Sequence, residues 1–133
     1  MKVVVDTSVW SLAFRRRATV VSKHVDLLTD LIHDGRVVLL GLVRQELLSG
    51  IRHGDQFERL RTQLRAFPEI EMETADHEVA AAHFNTCMAA GIQGSTIDFL
   101  ICAYASRRNY QILSTDPDFG FFAKHIPVAL LTF

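Results

Sequence analysis

The sequence is short of nearly everything that marks a secreted, membrane-spanning or low-complexity chain. Its two cysteines, Cys87 and Cys102, form no CxxC pair and sit in apolar helical stretches. That argues against a disulfide framework and for a reducing compartment. Three prolines and seven scattered glycines leave no linker-like segment, and no repeat or biased tract is present. No apolar run approaches the roughly 18 residues needed to span a bilayer. The opening Met1-Lys2-Val3-Val4-Val5-Asp6 reaches an acid too early for the apolar segment of a signal peptide. The expectation is a cytoplasmic protein with no membrane partner. A strong charge of either sign is missing too. Fourteen Lys and Arg against fifteen Asp and Glu leave −1, unlike a nucleic-acid binder held by bulk charge alone.

Several catalytic signatures are absent as well. The six histidines, His24, His33, His53, His77, His83 and His125, show no HExxH or other zinc spacing, and are expected at surface or half-buried positions. Gly94-Ser95 lacks the flanks of a nucleophile elbow, and no glycine loop is built to cradle phosphate.

What remains is an ordinary globular composition: 133 residues, 49% apolar and 22% charged. One domain, 1–133, is the expectation, burying roughly two thirds of the unfolded chain's surface. Val3-Val4-Val5, Val37-Val38-Leu39-Leu40, Ile112-Leu113 and Val128-Ala129-Leu130-Leu131 are compact apolar runs. Helical stripes lie between them: Val21, Val25, Leu28 and Ile32; Phe57, Leu60 and Leu64; Val79, Ala82, His83 and Ala90. Apolar strands separated by helices predict an α/β domain, its mostly parallel sheet covered on both faces. Trp10, Phe14, Phe119, Phe121 and Phe122 are assigned mainly to the core, and Arg15-Arg16-Arg17 to a solvated loop or an anion-binding one.

In such a sheet, ligands bind outside the carboxyl ends of the strands, so the acids there are the ones to inspect. Asp6 follows the first strand, and Asp116 follows Gln111-Ile112-Leu113-Ser114, with Asp118 close behind. At about 100° per residue, Glu46 falls between Leu42 and Val43, on the apolar side of its helix, and Asp98 between Ala105 and Cys102. Each acid except Glu46 also has a local role. Asp116-Pro117 is a helix start, Ser95-Thr96-Ile97-Asp98 reads as a capping box, and Asp6 can cap the helix beginning near Ser8. Taken together they suggest more. Two carboxylates about 5 Å apart repel by roughly 3 kcal/mol at an effective dielectric of 20. A group of three or four therefore protonates or recruits a cation, and oxygen-only ligands suit Mg²⁺ or Mn²⁺ over Zn²⁺.

The pieces Val5-Asp6-Thr7-Ser8-Val9-Trp10, Glu46-Leu47-Leu48-Ser49-Gly50, Asp98 through Ala105, and Ile112 through Phe119 occur in an order and spacing that resembles the VapC-type PIN-domain ribonucleases, toxins of toxin–antitoxin pairs. The resemblance runs from residue 3 to residue 119. It implies a three-layer α/β/α fold on a five-stranded parallel sheet. It also implies Mg²⁺-dependent endoribonuclease activity, a homodimer, and inhibition by a small VapB-type antitoxin. By position, Asp6, Asp98 and Asp116 match metal ligands and Glu46 a further catalytic acid, with Asp118 a less constant one. Thr7, Ser8 and Ser114 match supporting positions, Ser114 standing where the family usually has Thr. The expected reaction is attack of metal-activated water on an RNA phosphodiester. Two rivals remain: a nuclease acting on DNA flaps, and a non-catalytic binding module whose acids serve only as caps.

Overall fold

A computed structural model describes residues 1–14 and 22–133. The Arg15-Arg16-Arg17 run and Val21 lie outside the described residues. In chain order the elements are β1 (Val3–Val5), α1 (Thr7–Phe14), α2 (Lys23–His33), β2 (Val37–Val38), α3 (Gly41–Leu48), α4 (Gly54–Leu64), α5 (Thr74–Ala89), α6 (Thr96–Arg108), β3 (Gln111–Leu113), α7 (Asp118–Phe122) and β4 (Ala129–Leu130).

The strands form one parallel sheet in the order β2-β1-β3-β4, with Val4 opposite both Val38 and Ile112. Val3, Val4 and Val5 are all completely buried. Because successive strand side chains point to opposite faces, the sheet is covered on both sides. The chain steps from β1 to β2 in one direction and then crosses back to β3 on the other side of β1. Right-handed crossovers in opposite directions put their helices on opposite faces; α2 packs on β2, and α6 on β1 and β3. The reversal opens a crevice between the carboxyl ends of β1 and β3, where an open α/β sheet binds its ligands.

Among the described residues the sheet has four strands where the resemblance implied five. The sequence itself holds four apolar runs, and these are the four strands. Parallel pairing needs continuous apolar segments, and the other long one among the described residues, Phe99–Ala105, is taken up by α6.

Two helical faces differ from the expected stripes. Helix α5 buries Asp76, His83 and Cys87, while Ala82 and Ala90 are exposed. Polar residues on the buried face concealed its period. Asp76 is fully buried because Arg107 and Arg108 of α6 reach it at 2.7 and 2.8 Å. Burial alone would raise its carboxyl, but hydrogen bonds from Arg108, the Glu73 amide and Arg107 outweigh that and hold it well below the usual range. On α2, Leu28 and Leu31 are buried and Ile32 is exposed, so the apolar face is rotated from the one expected.

Helix α6 is buried continuously from Phe99 to Ala105. A helix apolar all round belongs in a core. It ends on Asn109, whose φ of 58° is left-handed, a conformation Asn tolerates better than most residues. Tyr110 N–H then donates to the Ala105 carbonyl at 2.9 Å, turning the chain directly into β3. Trp10 fixes the opposite junction: its indole N–H donates to the Val5 carbonyl at 3.2 Å, tying α1 back to the strand it follows. The aromatic assignments hold for Trp10, Phe119 and Phe122, which are buried, whereas Phe121 is exposed.

Candidate active site

Asp6 is the first residue after β1. Its backbone N–H still belongs to the sheet, donating to the Leu113 carbonyl at 2.9 Å, and only 6% of the residue is exposed. Its carboxylate is oriented by two hydroxyls. Ser8 Oγ donates to Asp6 Oδ2 at 2.8 Å from the first turn of α1, and Ser114 Oγ donates to the same oxygen at 2.7 Å from the end of β3. Ser8 Oγ also accepts from the Thr115 amide at 3.1 Å, and Ser114 Oγ from the Asp116 amide at 2.9 Å. The two serines thus bind the β1 and β3 ends of the crevice into one network. Thr7 does not join it: its hydroxyl is buried with no hydrogen-bond partner among the described residues.

Asp98 sits in the first turn of α6 and makes both halves of a capping box. Its Oδ2 accepts from the Ser95 amide at 3.0 Å, and its own amide donates to Ser95 Oγ at 3.1 Å. Capping and a charged site coexist here. Burial raises the Asp98 carboxyl above its ordinary range against the lowering effect of the Ser95 hydrogen bonds, and the charges of Asp6 and Asp116 push it the same way. Asp98 is therefore within electrostatic reach of both Asp6 and Asp116. Asp116 likewise serves its own turn, its Oδ1 accepting from the Asp118 amide at 2.9 Å as α7 begins. In each of the three, one oxygen is anchored by the chain, and Asp6 Oδ1, Asp98 Oδ1 and Asp116 Oδ2 accept no hydrogen bond from the described residues.

Glu46 and Asp118 stand apart. Both are exposed, whereas Asp6 is buried and Asp98 and Asp116 are half-buried. The buried side of α3 is defined by Val43 and Leu47, so the direction between Leu42 and Val43 lies on its flank. The expectation that Glu46 is wedged into an apolar face is not met, because Leu42 is only half-buried. Arg44, on the polar side, has a structural role, since its guanidinium donates to the Leu64 carbonyl at 2.8 Å and closes the end of α4.

The donor chemistry fits a hard divalent cation. The acids and the two serines offer oxygen donors, and among the described residues no Lys or Arg pairs with Asp6, Asp98, Asp116 or Glu46. The nearby thiol offers no soft ligand, since burial and then the Asp98 charge keep Cys102 protonated. The geometry is looser than a closed cage: among the described residues no three acid, His or Cys side chains converge closely enough to hold one ion between them. Mg²⁺ does not need such a cage, being held typically by one or two carboxylates with water and substrate oxygens completing the shell. A groove of about 490 Å³ lined by Phe14, Gln56, Arg59 and Leu60 contains no carboxylate and includes none of these acids.

One positioning residue is not evident from the sequence motifs. Gly94 packs so closely under Phe122 and Phe99 that an added Cβ would lie 2.6 and 2.8 Å from their rings. Its absent side chain lets the chain enter the Ser95–Asp98 box from within the core. A glycine directly before a capping box was the available signal.

The PIN-domain family model matches residues 3–124, and the chain belongs to that family. PIN domains are generally metal-dependent nucleases. No curated protein matches the chain in sequence. Among solved structures, it is similar to FitAcB from Neisseria gonorrhoeae at 19% identity and a TM-score of 0.74, covering 98% of this chain and 96% of that one. It is also similar to VapBC2 from Rickettsia felis bound to a DNA fragment from their promoter, at 14% identity and 0.77, covering 100% and 99%. A third is VapBC-1 from nontypeable Haemophilus influenzae, at 12% identity and 0.74, covering 98% and 97%. At these identities the likeness is one of fold.

Proposed function

We propose that this chain is the nuclease half of a toxin–antitoxin pair, an endoribonuclease that uses Mg²⁺ or Mn²⁺ at Asp6, Asp98 and Asp116. The observation that carries the reading is the uncompensated charge at the crevice: the Asp98 carboxyl is raised by burial and by two neighbouring acids, and among the described residues no cationic side chain answers them. A divalent ion bound there lowers the pKa of its water and offsets the charge on the phosphate.

The chain's own residues divide the remaining work. Asp6, Asp98 and Asp116 would supply the negative charge that attracts the ion, with one or two of them ligating it through an oxygen that the described residues leave free and water or substrate oxygens completing the shell. Ser8 and Ser114 hold the Asp6 carboxylate in one orientation, and the Asp118 amide does the same for Asp116. In this reading the nucleophile is water rather than a side chain. Glu46, exposed on the flank of α3, is proposed as a further acid at the substrate side of the site.

Membership of the PIN family supports the nuclease chemistry. The similar VapBC and FitAB structures, two of them bound to DNA, support a small antitoxin partner; RNA as the substrate and a homodimer as the working form rest on the resemblance to the VapC-type ribonucleases. The test is cleavage of single-stranded RNA by the purified protein in Mg²⁺ or Mn²⁺, beside flap DNA as the competing substrate. RNA should be cut, EDTA should stop the reaction, and Asp6→Asn should abolish it while the protein stays folded. Equal activity of Asp6→Asn, or cleavage of flap DNA alone, would overturn the proposal.

A further inference from the structure

A groove of about 340 Å³ opens beside the acids and shares two residues with them, Ser114 and Asp116. Away from these polar residues it is lined by Ile112 and Phe119, both nearly fully buried, and by the rings of His24 and Phe133. The two rings meet edge to face, with centroids 4.9 Å apart and planes at 79°. Phe133 is 61% exposed, so its ring offers an accessible face beside the polar crevice.

Both rings are carried on anchored backbone. His24 lies in the first turn of α2, where Ser22 Oγ accepts from the Val25 amide at 3.3 Å. The segment leading to Phe133 continues the sheet beyond β4, its Leu131 amide donating to the Ile112 carbonyl at 2.8 Å. A polar end at the acids thus runs into an apolar end with an exposed aromatic face.

We propose that this groove is a stacking subsite for the nucleobase beside the scissile phosphate, with Phe133 as the platform and His24 as its brace, and that it favours purines. The inference rests on the nuclease reading above for what occupies the acidic end. A phosphodiester positioned at Asp116 and Ser114 carries its base within one nucleotide length, and the adjoining surface is flat, apolar and aromatic. Base–aromatic stacking is available to every base, and the larger purine covers more of the apolar lining formed by Ile112 and Phe119. Beyond Asp116, no Lys, Arg, Asp or Glu lines the groove among the described residues, which suits an uncharged base better than a second phosphate.

The test measures binding and cleavage separately. Short oligo(A), oligo(U) and abasic ribose oligomers are titrated against Asp6→Asn protein by fluorescence anisotropy, and the same oligomers are offered to the protein with Asp6 intact. Oligo(A) should bind about tenfold more tightly than the abasic oligomer, with oligo(U) between. Adding Phe133→Ala should remove that difference, and Phe133→Trp should restore it. Being largely exposed, Phe133 tolerates both changes without loss of the fold. Base-dependent binding that follows Phe133 without any cleavage would uphold the subsite and sink the nuclease reading. Cleavage with binding indifferent to the base, or a base preference untouched by Phe133→Ala, would overturn the subsite and leave the nuclease standing. Failure of every oligomer to bind would also overturn the subsite.

Discussion

Ser114 Oγ donates to Asp6 Oδ2 at 2.7 Å, joining two residues 108 positions apart in the chain. Through this contact the end of β3 decides where the carboxylate at the end of β1 points. Ser8 shares the same oxygen, so the Asp6 orientation is held from both sides of the crevice.

Removing that support should weaken the ion's site more than the fold. Groups that orient metal ligands typically matter by about 10–100-fold in metal affinity or activity. Ser114→Ala should lie in that range, and Ser114→Thr should retain function because it keeps the hydroxyl. Calorimetric titration with Mn²⁺ checks this; unchanged affinity in Ser114→Ala would mean that the Asp6 orientation is set elsewhere.

For Asp98, folding and function oppose each other. Its folded carboxyl is raised by burial and by Asp6 and Asp116, so the native state holds its proton more tightly than the unfolded chain does. Any such group favours the fold at pH values below its unfolded pKa and loses that benefit as pH rises through the folded value. At neutral pH in EDTA, Asp98→Asn should therefore melt higher than the native protein, while nuclease activity falls more than about 100-fold. Added Mg²⁺ should raise the melting temperature of the native protein and not that of the variant. Thermal melts with and without the ion decide it.

His83 gives the opposite pH dependence. It is buried, its Nδ1 has no partner among the described residues, and burial lowers its imidazole. Below about pH 6.5 the unfolded chain takes up a proton that the folded chain refuses. Stability should fall with acid through this window, by at most about 1.4 kcal/mol per pH unit from this group. His83→Leu should flatten that part of the profile, as measured by melting between about pH 7 and 5; a profile of unchanged slope would assign the dependence to other groups.

Gly94→Ala should be costly for steric reasons. The new methyl would lie 2.6 Å from the Phe122 ring and 2.8 Å from that of Phe99. Overpacking of this kind costs about 1–3 kcal/mol, and relief by a shift of the Ser95–Asp98 turn would move Asp98 as well. Chemical denaturation and cleavage assays should therefore fall together; loss of stability alone would mean that the Phe rings give way instead.

The sequence alone was enough to place all four strands, because each is a short apolar run, while the longer run Phe99–Ala105 follows a helix-start signal at Ser95 and forms α6. It also brought out Asp6 and Asp116, since both lie just beyond the carboxyl ends of such runs, and Asp98, since it falls between Ala105 and Cys102 on an apolar helix face. Tertiary contacts decided the rest. The buried face of α5 was hidden because Asp76 lies on it, and an acid can be buried only when partners such as Arg107 and Arg108, far along the chain, are brought to it. Glu46 lost its place in the apolar face because a helical wheel gives angles and not the direction of the neighbour, which here is set by Val43 and Leu47. Periodicity and local capping are properties of a few consecutive residues and can be read without coordinates. The pairing of Asp6 with Ser114, and of His24 with Phe133, depends on how distant segments pack, and only the folded chain determines that.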